Sequence, residues 1–314
     1  MFPNVIHMQD DFDFTKPPTT PAASAATAPG PSAPARPAAS KYYDGAIARK
    51  LFETFGTAET VAAGAPFFAE HDKAAKGLFS KTNTSRMYYL SGGEVTLSMA
   101  GGTLDTIRAG EVFGEMAVIT GGPRTASAIA KTDCTAYSLD PLQFQAAIQK
   151  MPAFALMLMS VMFDRLRLVA ARLAARKVAA GGATAREAAV FSAEVLAQLE
   201  GALQHAARVR FDAGKAIMRE GEAGVCMYVV VAGLVAIVIR DKVVETIGPG
   251  GTFGEMALVD QSPRTASAGA STDCELLSIN RAALLDVIRA QPVVASTMLR
   301  SVAERLRHMN SLLA

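Results

Sequence analysis

Four charged side chains set the chemical question. Glu115 and Arg124 stand nine residues apart in the segment FGEMAVITGGPRTASAIAKTDC (113–134), and Glu255 and Arg264 keep that spacing in FGEMALVDQSPRTASAGASTDC (253–274). A guanidinium presents a planar fork of donors that suits an oxyanion, phosphate above all. A carboxylate only accepts hydrogen bonds, so beside a phosphate it repels unless it is aimed at hydroxyls such as those of a ribose. Gly114 and Gly254 give the backbone freedom to turn, and Met116-Ala117 and Met256-Ala257 continue into a short helix. The unpaired amides at such a helix start favour an anion. Phosphate and sugar held side by side imply a nucleotide.

The elements that must position these groups follow from an internal repeat. The two segments are offset by 140 residues and agree at 15 of 22 positions, which marks a tandem duplication. The same offset pairs Met87-Tyr88 with Met227-Tyr228, Gly93 with Gly233 and Pro152 with Pro292, so the repeated unit is a whole domain. Short runs rich in Val, Ile, Thr and Tyr, such as 227–231 and 235–239, precede each motif and read as strands. A helical pattern follows each motif, with Leu158, Met162, Leu166, Val169 and Leu173 in one copy and Met298, Val302, Leu306, Met309 and Leu313 in the other, each a single apolar seam. The expected fold is mainly β with α: two tandem jelly-roll β-barrels, each flanked by helices, behind a disordered N-terminal arm. The expected divisions are a flexible Pro/Ala-rich arm at 1–40, a first domain with its linking helix at 41–180, and a second domain at 181–314.

FGEMA followed a few residues later by PRTAS resembles the phosphate-binding cassette of the cyclic nucleotide-binding domain family, which includes protein kinase A regulatory subunits, cGMP-dependent kinases, nucleotide-gated channels and the bacterial catabolite activator protein. The resemblance covers roughly 41–314. It implies that Glu115 and Glu255 hold a ribose 2′-hydroxyl and that Arg124 and Arg264 pair with a cyclic phosphate. It also implies that Gly114, Met116, Ala117, Gly254, Met256 and Ala257 line the sites, largely through backbone groups. Ala126 and Ser127, with Ala266 and Ser267, would complete the wall beside phosphate and base. Domains of this family that have lost their ligand usually lack the arginine or the glutamate, whereas both copies here keep both. Thr125 and Thr265 could bond a guanine edge, as a threonine here does in cGMP-dependent kinases, but RTAS cassettes of channels accept both ligands, so the threonines select neither; cAMP is favoured over cGMP, at up to one per domain. The first copy departs from the pattern upstream: Gly64 to Tyr88 spans ten more positions than Gly214 to Tyr228, and 71–86 is lengthened and more basic. That leaves affinity at the first site open. His71 in this loop reads as a solvated side chain.

Composition narrows the remaining roles. The formal net charge of +2, from 31 basic and 29 acidic residues, gives no electrostatic reason for a nucleic-acid partner. Cys134, Cys226 and Cys274 are too few for a disulfide framework, and Cys134 and Cys274 read as core fillers at equivalent positions. The acidic start, with Asp10, Asp11 and Asp13, is unlike a secretory leader, and the run 153–163 is too short for a bilayer and meets Asp164 and Arg165. A cytoplasmic setting without a membrane span is expected. Phe2, Val5, Ile6, Phe12 and Phe14 could form a tethered docking peptide or a frayed end. Because 314 falls inside the second seam helix, no helix-turn-helix is expected, and Arg36 before Pro37 is a poor kinase-inhibitory motif. Neither metal spacing nor a nucleophile with its base recurs between copies, so neither metal nor catalytic residues are expected. The expectation is a receptor that changes shape on binding and regulates an unidentified protein. The seam helices either pack on their own domains or form a homodimer contact. A nucleotide-independent scaffold using the jelly rolls and arm is the alternative.

Overall fold

The computed structural model describes residues 37–72, 85–99, 101–175, 190–202, 207–239 and 242–311. The acidic-aromatic start, most of the arm, most of the lengthened stretch before Arg86 and the Gly181-Gly182 link lie outside them.

The first barrel is built from β1 (Thr57–Val61), β2 (Pro66–Phe68), β3 (Met87–Gly92), β4 (Glu94–Met99), β5 (Gly102–Arg108), β6 (Val112–Phe113), β7 (Ser127–Ala130) and β8 (Cys134–Leu139). They form two four-stranded antiparallel sheets, β1-β8-β3-β6 and β2-β7-β4-β5. Its helices are α1 (Gly45–Phe55), α2 (Glu115–Thr120), α3 (Pro141–Lys150) and α4 (Pro152–Ala175). The second repeat opens with α5 (Ala193–Ala202). Its strands are β9 (Ala207–Phe211), β10 (Ala216–Met218), β11 (Cys226–Ala232), β12 (Val235–Ile239), β13 (Lys242–Ile247), β14 (Thr252–Phe253), β15 (Ser267–Ala270) and β16 (Cys274–Asn280). They pair as β9-β16-β11-β14 and β10-β15-β12-β13, the order of the first barrel repeated strand for strand. Helices α6 (Glu255–Asp260), α7 (Arg281–Ala290) and α8 (Pro292–Ser311) complete the chain. Two jelly rolls flanked by helices are thus the fold.

The alternation of the strands explains each core. On β4, Val95 and Leu97 turn inward between exposed or half-exposed neighbours, and on β12 Val235 and Ile237 do the same. They meet Leu90, Ile107 and Phe113 in one barrel and Val230, Ile247 and Phe253 in the other. Tyr88 pairs across the sheet with Phe113 and Tyr228 with Phe253, the rings stacked at 5.2 Å in both cases. Cys134 and Cys274 open equivalent strands, are buried and donate Sγ–H to Glu94 O (3.4 Å) and Leu234 O (3.2 Å).

Helix boundaries follow local chemistry. Asp140 accepts from Gln143 N while the Gln143 side chain returns a bond to Asp140 N, a capping box with Pro141 in the first turn. At offset 140, Asn280 accepts from Ala283 N at 2.9 Å. Pro152 and Pro292 begin α4 and α8, where the missing N–H costs nothing.

Contacts group the described residues into two compact units. One comprises the described residues within 37–173 together with 288–311, the other those within 174–287. Helix α8, which follows the second barrel in sequence, therefore belongs with the first barrel, where it packs against α2 and α3. Pro37–Ala39, read as the end of the flexible arm, forms a 3-10 turn with Pro37 buried, and Ser40 Oγ donates to Asp164 Oδ2 at 2.8 Å. Helix α4 is not a single seam over its first half, because every residue from Phe154 to Phe163 is buried. Phe154 sits edge-on to Phe52 of α1 (5.9 Å) and Phe144 of α3 (6.4 Å), so helices cover it on more than one side.

Candidate functional site

Each cassette is a glycine, a six-residue helix and a returning loop that carries the arginine. Gly114 (φ +73°) and Gly254 (φ +74°) are left-handed and sit immediately before α2 and α6. Glycine is required here twice over. A Cβ at Gly114 would lie 3.0 Å from Arg124 Nη1, and one at Gly254 would lie 2.5 Å from Arg264 Nη1.

All four charged groups are buried: Glu115 is 4% exposed and Glu255, Arg124 and Arg264 are each 6% exposed. Arg124 Nη1 donates to Gly114 O (3.0 Å) and Nη2 to Arg86 O (2.7 Å). Arg264 repeats the arrangement, with Nη1 on Gly254 O (2.6 Å) and Nη2 on Cys226 O (2.6 Å). Each guanidinium thus ties the cassette glycine to the start of the strand that pairs with the segment before it. Burial pulls the Arg124 pKa down, while Tyr88, Asp72 and Glu115 oppose the shift. A guanidinium so enclosed still carries its charge, and carbonyl dipoles answer it only in part.

The loops that hold the arginines are also duplicated. His71 N donates to Arg124 O (3.0 Å) and Arg124 N to Asp72 O (2.9 Å), while Gly221 N donates to Arg264 O (2.8 Å) and Arg264 N to Glu222 O (2.8 Å). His71 adopts φ +66° where the second repeat has Gly221 at +83°. Its ring is exposed, 3.6 Å from a Glu70 carboxylate oxygen. Ser127 Oγ accepts from Glu70 N (2.8 Å) and Ser267 Oγ from Glu220 N (3.0 Å), so both serines brace these loops. Thr125 and Thr265 are exposed, the latter with Oγ1 donating toward Met256 Sδ at 3.6 Å. Met116 and Met256 are half-buried, Ala117, Val118, Leu258 and Ala266 are buried, and Ala126 is half-buried. Ala216, Met218, Arg219, Val238 and Ser267 line a small, mainly apolar hollow beside the second cassette.

Three participants escape a reading of the motif alone. Arg165 of α4 donates Nη1 to Glu115 Oε1 at 3.0 Å, both side chains almost wholly buried, which fastens the cassette to the long helix. The repeat carried a signal for it, since offset 140 places Arg305 opposite Arg165. Phe68 lies with its ring 3.9 Å beneath the Arg124 guanidinium, a cation–π contact. Gly224 permits close approach in the second site: a Cβ there would fall 2.6 Å from Arg264 Cζ. Among the described residues no group of three or more His, Cys, Asp or Glu could hold a metal, and no single helix is long and apolar enough to cross a membrane.

Two jelly rolls each carry the same cassette: a left-handed glycine, a short helix, and a buried glutamate and arginine. The family described as "Cyclic nucleotide-binding domain" matches residues 73–151 and 208–291, and the chain belongs to that family. It is 35% identical over 111 residues to a CRP-like cAMP-activated global transcriptional regulator of Mycobacterium tuberculosis, covering 34% of this chain and 50% of the relative. It is 27% identical over 210 residues to a cAMP-dependent protein kinase regulatory subunit of Schizosaccharomyces pombe, covering 63% of this chain and 45% of the relative. Among solved structures, the catabolite activator protein of Thermus thermophilus is similar at 33% identity and a TM-score of 0.36, over 40% of this chain and 62% of that one. The chain thus spans about half the length of the curated relatives it matches.

Proposed function

We propose that the protein is a cytoplasmic cyclic-nucleotide receptor, cAMP favoured over cGMP, that binds up to one ligand per domain and regulates a protein partner by changing shape, without catalysis. The observation that carries this reading is the duplicated burial of one carboxylate and one guanidinium around a left-handed glycine. A cyclic phosphate would engage Arg124 or Arg264 and the amides of Ala117 or Ala257, adding an anion where each guanidinium now has carbonyl oxygens. A carboxylate has two oxygens, so Glu115 can keep Arg165 on one and take a ribose hydroxyl on the other. Ligand at the cassette would in this way be felt by α4. A shape change follows only to the extent that the ligand prefers one arrangement of cassette and helix over the other. The names of the relatives from Mycobacterium and Schizosaccharomyces support cAMP over cGMP.

Isothermal titration of the full chain with cAMP and with cGMP tests the proposal. The expected result is saturable binding at two sites, tighter for cAMP, with one site lost in each of Arg124→Ala and Arg264→Ala. Binding of neither nucleotide overturns the receptor reading, and recovery of one protein partner equally with and without nucleotide favours a scaffold.

A further inference from the structure

The two cassette helices end in different company. Each is six residues long, so its last carbonyls lie beyond the reach of any amide in the same helix. In the second repeat, Arg281 at the start of α7 donates Nη1 to Leu258 O (3.1 Å) and Val259 O (2.6 Å), closing the end of α6 from within the same barrel. Offset 140 places Pro141 at that position in the first repeat, a residue with no side-chain donor. The end of α2 is met instead by α8. Arg300 Nε donates to Ile119 O at 3.4 Å across 181 residues of sequence. A Cβ on Gly122 would lie 3.2 Å from Arg307 Nη1, so a second guanidinium rests against the turn that leaves α2.

These contacts lie at the exposed edge of a packed helix interface. Helix α8 buries Leu299, Val302, Ala303 and Leu306 and packs against both α2 and α3. Arg300 and Arg307 are seven residues apart, about two turns, and therefore share a face of the helix. A cation at a helix C-terminus also favours the negative end of the helix dipole. Arg305, the repeat counterpart of the arginine that holds Glu115, is about 140° round the helix from Arg300.

We propose that Arg300 and Arg307 are positioning residues for the first cassette, supplied by the terminal helix of the second repeat, where the second cassette uses Arg281 of its own barrel. The first site is then built from both repeats, and the second repeat sets its affinity through α8. The affinity consequence rests on the receptor reading above, whereas the structural assignment does not.

Hydrogen exchange on the ligand-free full chain tests the assignment directly. Arg300→Ala/Arg307→Ala is expected to speed exchange at amides 117–122 by about two- to tenfold, the size expected for the loss of one or two modest hydrogen bonds, and to leave 257–262 unchanged. Arg281→Ala is expected to give the opposite pattern. Unchanged exchange at 117–122 in the double variant overturns the assignment. Titration with cAMP in an Arg264→Ala background, where only the first site remains, is expected to show weakening by a similar factor, with Arg300→Lys/Arg307→Lys recovering most of it. An unaltered dissociation constant beside faster exchange overturns the role in affinity. If cAMP and cGMP bind nowhere on the unaltered chain, the receptor reading fails, and exchange alone still decides whether α8 positions the cassette.

Discussion

The two cassettes are nearly superposable in chemistry and unlike in support. Both have a left-handed glycine, a buried carboxylate and a guanidinium on two backbone carbonyls. Around this common centre the first cassette has Phe68 under its arginine, whereas in the second the sulfur of Met218 lies near Gly254. The first is backed by Arg86, ion-paired to Glu59 at 2.5 Å, where the second has Cys226. Its helix end is met by α8, where the second uses α7. Duplication has preserved the atoms that would touch a ligand and left the surroundings free to diverge, so two sites of one chemistry need not share one affinity.

The sharpest way to break this comparison is to remove the common centre. Arg124→Ala and Arg264→Ala are each expected to cost about 2–5 kcal/mol of ligand binding at their own site, the range for deleting one partner of a buried charge pair, while the other site keeps its affinity. Calorimetric titration of each variant checks this, and equal weakening of both sites by one substitution would show that the cassettes are not separable. The glycines should follow, with a difference between the copies. Gly114→Ala and Gly254→Ala both place a Cβ in the left-handed region, at about 1–2 kcal/mol. Gly254→Ala should lose more because its Cβ would stand 2.5 Å from the guanidinium rather than 3.0 Å. Chemical denaturation that ranks the two equally would show that the arginines yield at no cost. The smallest effect is expected at Phe68. Phe68→Leu removes a cation–π contact of about 0.5–2 kcal/mol. The loss should weaken or loosen the first cassette only, read as faster exchange at 124–127 with 264–267 unchanged.

Some placements were legible in the order of residues. Glu115 with Arg124 and Glu255 with Arg264 recur at fixed spacing, and a glycine precedes each helix, so the repeat itself marked the positions that the structure buries together in each cassette. The strand at 235–239 was legible for the same reason that it forms: alternate residues such as Val235 and Ile237 must face one side. Asp164 and Arg165 show the limit. Read within one copy they only end an apolar run, and the repeat marks Arg165 through Arg305 without naming its partner, yet one receives the Ser40 hydroxyl and the other holds Glu115. The carbonyls of Gly114 and Arg86 that receive Arg124 have no sequence signature at all, because every residue has one. The single seam expected of α4 failed over 154–163 because periodicity records one buried face and cannot count how many helices surround the rest.

By itself, the order of residues determined the duplication, the jelly-roll class and the chemistry of each cassette, since all three are written in local spacing repeated at 140 residues. Only tertiary structure decided which helix each cassette leans on. Contacts such as Arg165 to Glu115, 50 residues apart, and Arg300 to Ile119, 181 apart, arise when packed barrels and helices bring distant segments together. No periodicity along the chain encodes that meeting, because it depends on where whole elements bury their apolar faces.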